Sequence, residues 1–180
     1  VSTRMRAFRF PAHREAVRVK THPRGRGGVR FYRDFKFYDQ SGALLIDVMQ
    51  TTILADVQTH RVKRPQELFR FGVFHDAPID PEEKITRIEL PDGLPRLGRR
   101  TARRSDLDSN GHVNNAVYGD IVEDFLPEPV RPVRELQIDY LGETPSGEVL
   151  EIYGQRSGGA ILLCGEHSGG ASFAARVLEG

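Results

Sequence analysis

Two stretches of the chain carry the same alternation, and this repeat restricts the fold more than anything else in the sequence. Glu15-Ala-Val-Arg-Val19 and Glu148-Val-Leu-Glu-Ile152 share one pattern. Each leads into a Gly-rich turn, a strand-like run, a Ser-Gly turn (Gln40-Ser-Gly42, His167-Ser-Gly169) and a closing run. Matching order of this kind marks duplicated units. The first copy starts at Val1, whereas the second is preceded by a strand, a polar turn and an amphipathic run. The roughly first third of the earlier unit is therefore expected to lie outside this chain, and Val1-Ser-Thr without a Met reads as a fragment or a trimmed start.

The elements follow from periodicity and breakers. Met5–Phe10 alternates up to Pro11, and Ala16–Thr21 alternates again. Pro23–Gly28 is a turn by composition, Val29–Tyr38 a strand, Asp39–Gly42 a second turn, and Ala43–Leu54 a third strand. Five prolines then interrupt residues 58–97. Within that stretch, Lys63–Phe69 suits a short helix and Pro78–Glu82 a linker with one helical turn, which places a boundary near residue 92. Val113, Val117, Ile121, Val122 and Phe125 form one apolar stripe. They predict a helix over Val113–Phe125, stopped near Pro127 and Pro129. Strands are then predicted at Val133–Leu141, Val149–Tyr153, Ala160–Cys164 and Ala171–Leu178. A helix followed by a curling antiparallel sheet is an α+β pattern, because the helix stripe can cover the sheet's apolar face. The earlier unit has no such helix, and Phe8, Phe10, Phe31 and Phe35 call for cover from another segment or chain.

Composition narrows the classes. The 180 residues suit one domain or two small ones, and 38% hydrophobic content with a mean hydropathy of −0.44 fits a soluble globular protein. No apolar run approaches the ~20 residues of a membrane span, and no secretory leader precedes the fold. Cys164 is the single cysteine, which excludes an internal disulfide and a multi-Cys metal site. A net charge of +1 argues against a general nucleic-acid binder. The arginines are nonetheless clustered, at Arg24, Arg26, Arg30 and Arg33 and again at Arg96, Arg99, Arg100, Arg103 and Arg104. Each cluster is either a solvated face or a docking patch for an acidic partner.

The chemistry concentrates just after the second cluster. Asp106–Asn115 holds two acids, three Asn and one His. Asp108, Asn110 and His112 recur at every second residue, so an extended or tightly turned segment points them to a common side. Gly111 lets the chain bend there. An Asn-rich capping turn has the same look. A calcium loop does not, because it would need a Glu where Val117 stands.

Here the sequence resembles a known family. Asp106-Leu-Asp-Ser-Asn-Gly-His-Val-Asn-Asn-Ala-Val-Tyr118 and Ile138-Asp-Tyr-Leu-Gly-Glu143, with Gly147-Glu-Val-Leu150 after it, are similar to the signature of the acyl-acyl carrier protein (acyl-ACP) thioesterases. Phe31-Tyr-Arg-Asp-Phe35, Asp39-Gln-Ser-Gly42 and Arg61-Val-Lys-Arg-Pro65 resemble that family's first domain. The resemblance implies tandem hot-dog domains, the first incomplete in residues 1–92 and the second, catalytic, in residues 93–180. It implies hydrolysis of fatty acyl-ACP thioesters, in the cytoplasm or the plastid stroma of a plant. Carried over by motif, the catalytic residues are Asp108, Asn110, His112 and Glu143. Arg103, Arg104 and Tyr118 are expected at the carrier or substrate. The partner is ACP with its phosphopantetheine-linked acyl chain. No nucleic acid, membrane, metal or other cofactor is expected, and a homo-oligomer is among the assemblies allowed. Some members have a Cys after the catalytic Glu where this chain has Thr144, and a helix Trp where it has Ile121.

Thioester hydrolysis needs an activated water and a site for the developing oxyanion. Glu143 is assigned as base, with His112 and Asn110 holding the water or the carbonyl. Asp108 is expected to orient His112, and backbone N–H groups around Val113 to receive the oxyanion. Cys164 reads as a core residue. His13, His22, His60, His75 and His167 lack comparable neighbours and read as surface residues. The alternatives are a hot-dog thioesterase acting on acyl-coenzyme A and a non-catalytic acyl-binding module.

Overall fold

A computed structural model describes residues 1–56, 58–59, 61–69, 77–128 and 131–180, which leaves His60, His75 and Pro129 outside the described residues. The chain divides into two compact units, Val1–Thr86 and Arg87–Gly180.

The first unit contains β1 (Ser2–Ala7), β2 (Arg18–Gly27), β3 (Arg30–Tyr38) and β4 (Leu44–Ile53), antiparallel in the order β2-β3-β4-β1. A four-residue helix, α1 (Gln66–Phe69), and a 3-10 turn at Pro81–Glu83 follow. Pro23–Gly28, expected as a turn, instead lies almost wholly inside β2, and the reversal falls at Gly28 and Val29. Two features explain this. β2 is an edge strand of its unit, where a proline costs no ladder bond. Gly25, at φ +107°, takes up the register shift between Pro23 and Gly25, in a conformation closed to most side chains. Tyr32, Met49, Ile79 and Ile85 make the small core of this unit, while Phe8 is 66% and Phe10 50% exposed.

The second unit contains β5 (Arg96–Thr101), α2 (Val117–Asp124), β6 (Val133–Tyr140), β7 (Val149–Ser157), β8 (Ala160–His167) and β9 (Gly170–Glu179). Its strands are antiparallel in the order β6-β9-β8-β7-β5. The repeat is thus visible in topology. A three-strand meander (β2-β3-β4, β7-β8-β9) carries the preceding strand (β1, β6) on its last member.

Alternation decides which side chains of this sheet go inside. Leu150 and Ile152 on β7, Ile161 and Leu163 on β8, and Phe173, Ala175 and Val177 on β9 are all buried in one cluster. Tyr118, Ile121 and Val122 of α2 join it. Fully burying one such aliphatic side chain contributes about 1.5–3 kcal/mol. Eight residues are too few for a helix to persist alone, so packing on the sheet is what holds α2.

The helix is shorter than its apolar stripe predicts. Val113 is buried in the core but not helical: its N–H donates to the Thr144 carbonyl at 2.9 Å, and Asn114 N–H donates to the Asp106 carbonyl at 2.8 Å. Those cross-loop bonds hold residues 113–114 away from helical geometry. The chain turns once more, with Asn114 Oδ1 accepting from Ala116 N–H at 2.9 Å, before α2 begins. Among the described residues no helix is long and apolar enough to cross a membrane.

Candidate active site

Two loops of the second unit build the site. The first, residues 102–116, leaves β5 and enters α2. Asp106, 7% exposed, organises it. Its carboxylate accepts from Arg103 N–H at 2.8 Å and from Arg100 Nη2 at 3.2 Å. The tight turn beyond is an Asx turn: Asp108 Oδ1 accepts from Asn110 N–H at 2.8 Å, and Oδ2 from Asn110 Nδ2 at 3.3 Å. Gly111 has φ +83°, which a β-carbon would strain, and Asp108 N–H closes the turn on the His112 carbonyl at 2.9 Å.

The second loop, residues 141–148, joins β6 to β7. Leu141 and Gly142 donate their N–H groups to the Ser172 carbonyl at 2.8 and 3.1 Å. A β-carbon on Gly142 would lie 2.8 Å from the Ala171 carbonyl oxygen, so only glycine lets the loop approach β9 this closely. A bridge between His112 and Pro145 then brings the two loops side by side.

The outcome is a close contact between the two residues of greatest chemical interest. His112 Nε2 lies 3.1 Å from Glu143 Oε2, with the His112 side chain 25% and the Glu143 side chain 53% exposed. A carboxylate beside an imidazole, both open to solvent, can accept a proton from a bound water and pass it on. Asn110 is exposed on the same turn, and one hydrogen of its amide nitrogen remains after the bond to Asp108.

Several expectations are corrected here. The contacts described for the Asp108 carboxylate run to Asn110, so its part is to shape the turn and hold that amide. Val113 N–H cannot receive an oxyanion, because Thr144 already takes it. Tyr118 is 2% exposed, which removes it from a carrier-facing surface and leaves the acyl substrate as the part of the expectation that burial does not address. Its hydroxyl donates to Thr144 Oγ1 at 3.0 Å and lies 3.0 Å from Ser172 Oγ, and those two oxygens are 2.6 Å apart. Three buried hydroxyls thus close a ring beneath the Glu143 loop, each able to donate once and accept once. Thr144, 0% exposed, belongs to that ring. Cys164, expected in the core, is only half-buried and alternates with the core-facing Ile161 and Leu163 of β8, yet burial still pushes its thiol above the ordinary value and leaves it a poor nucleophile. Of the arginines, Arg96 pairs with Glu151 and Arg100 with Asp106, while Arg99, Arg103 and Arg104 are exposed.

His167 was expected at the surface, as are His13 and His22, which are indeed exposed. Its side chain is only 9% exposed. The ring nitrogen Nδ1 accepts from Gly169 N–H at 3.1 Å, and Nε2 lies 3.1 Å from the Glu143 carbonyl oxygen.

A helix laid on an antiparallel meander, with a polar turn at the helix entrance and a carboxylate from the next loop, defines a hot-dog protein. Solved structures share that fold. The 12:0-ACP thioesterase from Umbellularia californica matches with TM-score 0.82 at 24% identity, over 98% of this chain and 72% of that one. An acyl-ACP thioesterase from Bacteroides thetaiotaomicron matches with TM-score 0.80 at 20% identity, over 98% and 74%. The model of the acyl-ACP thioesterase N-terminal domain matches residues 2–70 and that of the C-terminal domain residues 97–173, so the chain belongs to the acyl-ACP thioesterase family. Among curated proteins, oleoyl-acyl carrier protein thioesterase 2, chloroplastic, of Arabidopsis thaliana is 25% identical over 159 residues, which is 80% of this chain and 43% of that protein. Dodecanoyl-[acyl-carrier-protein] hydrolase, chloroplastic, of Cinnamomum camphora is 28% identical over 178 residues, 92% of this chain and 46% of that protein. The chain therefore spans less than half the length of these curated relatives.

Proposed function

We propose that this chain hydrolyses fatty acyl-ACP thioesters, with catalysis in the second domain, expected from about residue 93. The observation that carries the reading is the 3.1 Å contact between His112 Nε2 and Glu143 Oε2, in a chain of this family. Glu143 takes a proton from water, and the resulting hydroxide attacks the acyl carbon. Asn110 donates its remaining amide hydrogen to the carbonyl oxygen as charge develops there. The tetrahedral intermediate then expels sulfur: the C–S bond breaks, and the phosphopantetheine thiolate takes back the proton through the Glu143–His112 pair. The products are a free fatty acid and the carrier thiol. Asp108 keeps Asn110 in place. Arg99, Arg103 and Arg104 meet the acidic carrier, and the protein acts in the compartment that holds that carrier, as the word chloroplastic in the plant relatives' names suggests for them.

The test is a hydrolysis assay over a series of acyl-ACP chain lengths, with the matching coenzyme A thioesters beside them. Glu143→Gln and His112→Ala are each expected to lower kcat/KM by about 10²–10⁴-fold. Full turnover in both variants removes the site assignment. Equal rates on carrier-bound and coenzyme A thioesters favour the broader acyl-coenzyme A reading.

A further inference from the structure

We infer that His167 is a positioning residue for Glu143, acting through the peptide carbonyl of the proposed base. The inference rests on the assignment of Glu143 above.

The physical problem is one of aim. The Glu143 side chain is half exposed, so its own burial does little to fix its direction. Its carboxylate meets His112 only if the backbone directs the Cα–Cβ bond toward the first loop. The residues around it are pinned on all sides. Leu141 and Gly142 N–H groups bind the Ser172 carbonyl, the Thr144 carbonyl accepts from Val113, and the Thr144 hydroxyl sits in the buried ring. The carbonyl of Glu143 itself is met by a side chain, His167 Nε2, at 3.1 Å. Rotating that peptide plane would swing the carboxylate away.

The ring's own partners settle its tautomer. Gly169 N–H points at Nδ1 at 3.1 Å, so Nδ1 is the acceptor and the neutral ring carries its proton on Nε2, facing Glu143. The β8–β9 turn thereby holds the imidazole, and the imidazole holds the base. Glu148 Oε2, 3.5 Å from Nδ1, is itself tied by the Ser168 hydroxyl at 2.9 Å. Misplacing a reacting group by about 1 Å costs on the order of 10²-fold in rate, so a bond to the carbonyl is enough to matter.

Two substitutions separate this role from simple packing. His167→Leu keeps most of the volume and removes the donor. His167→Gln puts an amide N–H near the place of Nε2. In the acyl-ACP assay, His167→Leu is expected to lower kcat by roughly 10–100-fold with KM changed by less than about twofold, and His167→Gln to recover most of the loss. A second readout needs no turnover: the ¹⁵N signals of the His112 ring shift in folded His167→Leu and stay near the parent's in His167→Gln. Parent kcat in His167→Leu overturns the inference, and so does equal loss in both variants with unmoved His112 signals. If the parent protein hydrolyses none of the thioesters, the proposed function falls, and the His112 signals alone decide whether His167 positions Glu143.

Discussion

Tyr118, Thr144 and Ser172 come from a helix, a loop and a strand, and none has a side chain open to water. A buried hydroxyl without a partner costs about 1–3 kcal/mol, so removing any member of the ring weakens the fold by what its neighbours lose. Tyr118→Phe is expected to lower unfolding stability by about 1–3 kcal/mol, read by urea denaturation. The value should fall toward the low end, because Thr144 and Ser172 still have each other at 2.6 Å. A variant as stable as the parent would show the ring contributes nothing. The same three residues explain why a Thr can stand after Glu143. Its hydroxyl faces inward and its backbone carbonyl receives Val113, so it braces the loop from within. His112 and Glu143 were named from motif residues, and the fold brings them into contact. The bracing was not legible in the sequence, because nothing in the pattern around Ser172 or His167 distinguishes a strand-end polar residue in water from one folded under a loop.

The strands of the second unit are closely spaced where glycine replaces a side chain, and here the element scale governs. A β-carbon on Gly165 of β8 would sit 2.3 Å from the Phe173 ring of β9 and 3.1 Å from Ile152 of β7. Phe173 is 0% exposed and has nowhere to move. Gly165→Ala is therefore expected to destabilise by about 1–3 kcal/mol through overpacking, with the denaturation midpoint lowered at unchanged slope. An unshifted midpoint would mean the β8–β9 contact is looser than described. Strands of this kind were readable from alternation, since a buried face repeats every second residue. Element ends were less so. Pro23–Gly27 has turn composition, yet extends β2 because a sheet edge tolerates proline and Gly25 absorbs the bulge. Val113 fits the helical stripe, yet is drawn into a bridge with Leu107 and a bond to Thr144. In both places, hydrogen bonds to residues distant in sequence outweighed a local preference worth well under about 1 kcal/mol per residue.

At the scale of the whole molecule, the near-neutral net charge of +1 hides an uneven surface. Arg96 and Arg100 are neutralised by Glu151 and Asp106, so the exposed charge of the second cluster narrows to Arg99, Arg103 and Arg104. Those last two stand at the mouth of the loop that carries His112. Exposed charges act over a screening distance of roughly 10 Å at 0.1 M salt. Reversing both, Arg103→Glu with Arg104→Glu, is expected to raise KM for acyl-ACP more at low than at high ionic strength, leaving kcat nearly unchanged. An unaltered KM at both salts would remove this face as the docking surface. Sequence alone determined the repeat, the alternating strands, the polar turn and the identity of its reactive groups, because each depends on residue type and short spacing. Tertiary structure decided which groups meet. The bridge from His112 to Pro145, the hydroxyl ring and the His167 bond join loops that are separate in the chain, and hydrogen bonds across such gaps leave no local pattern from which to read them.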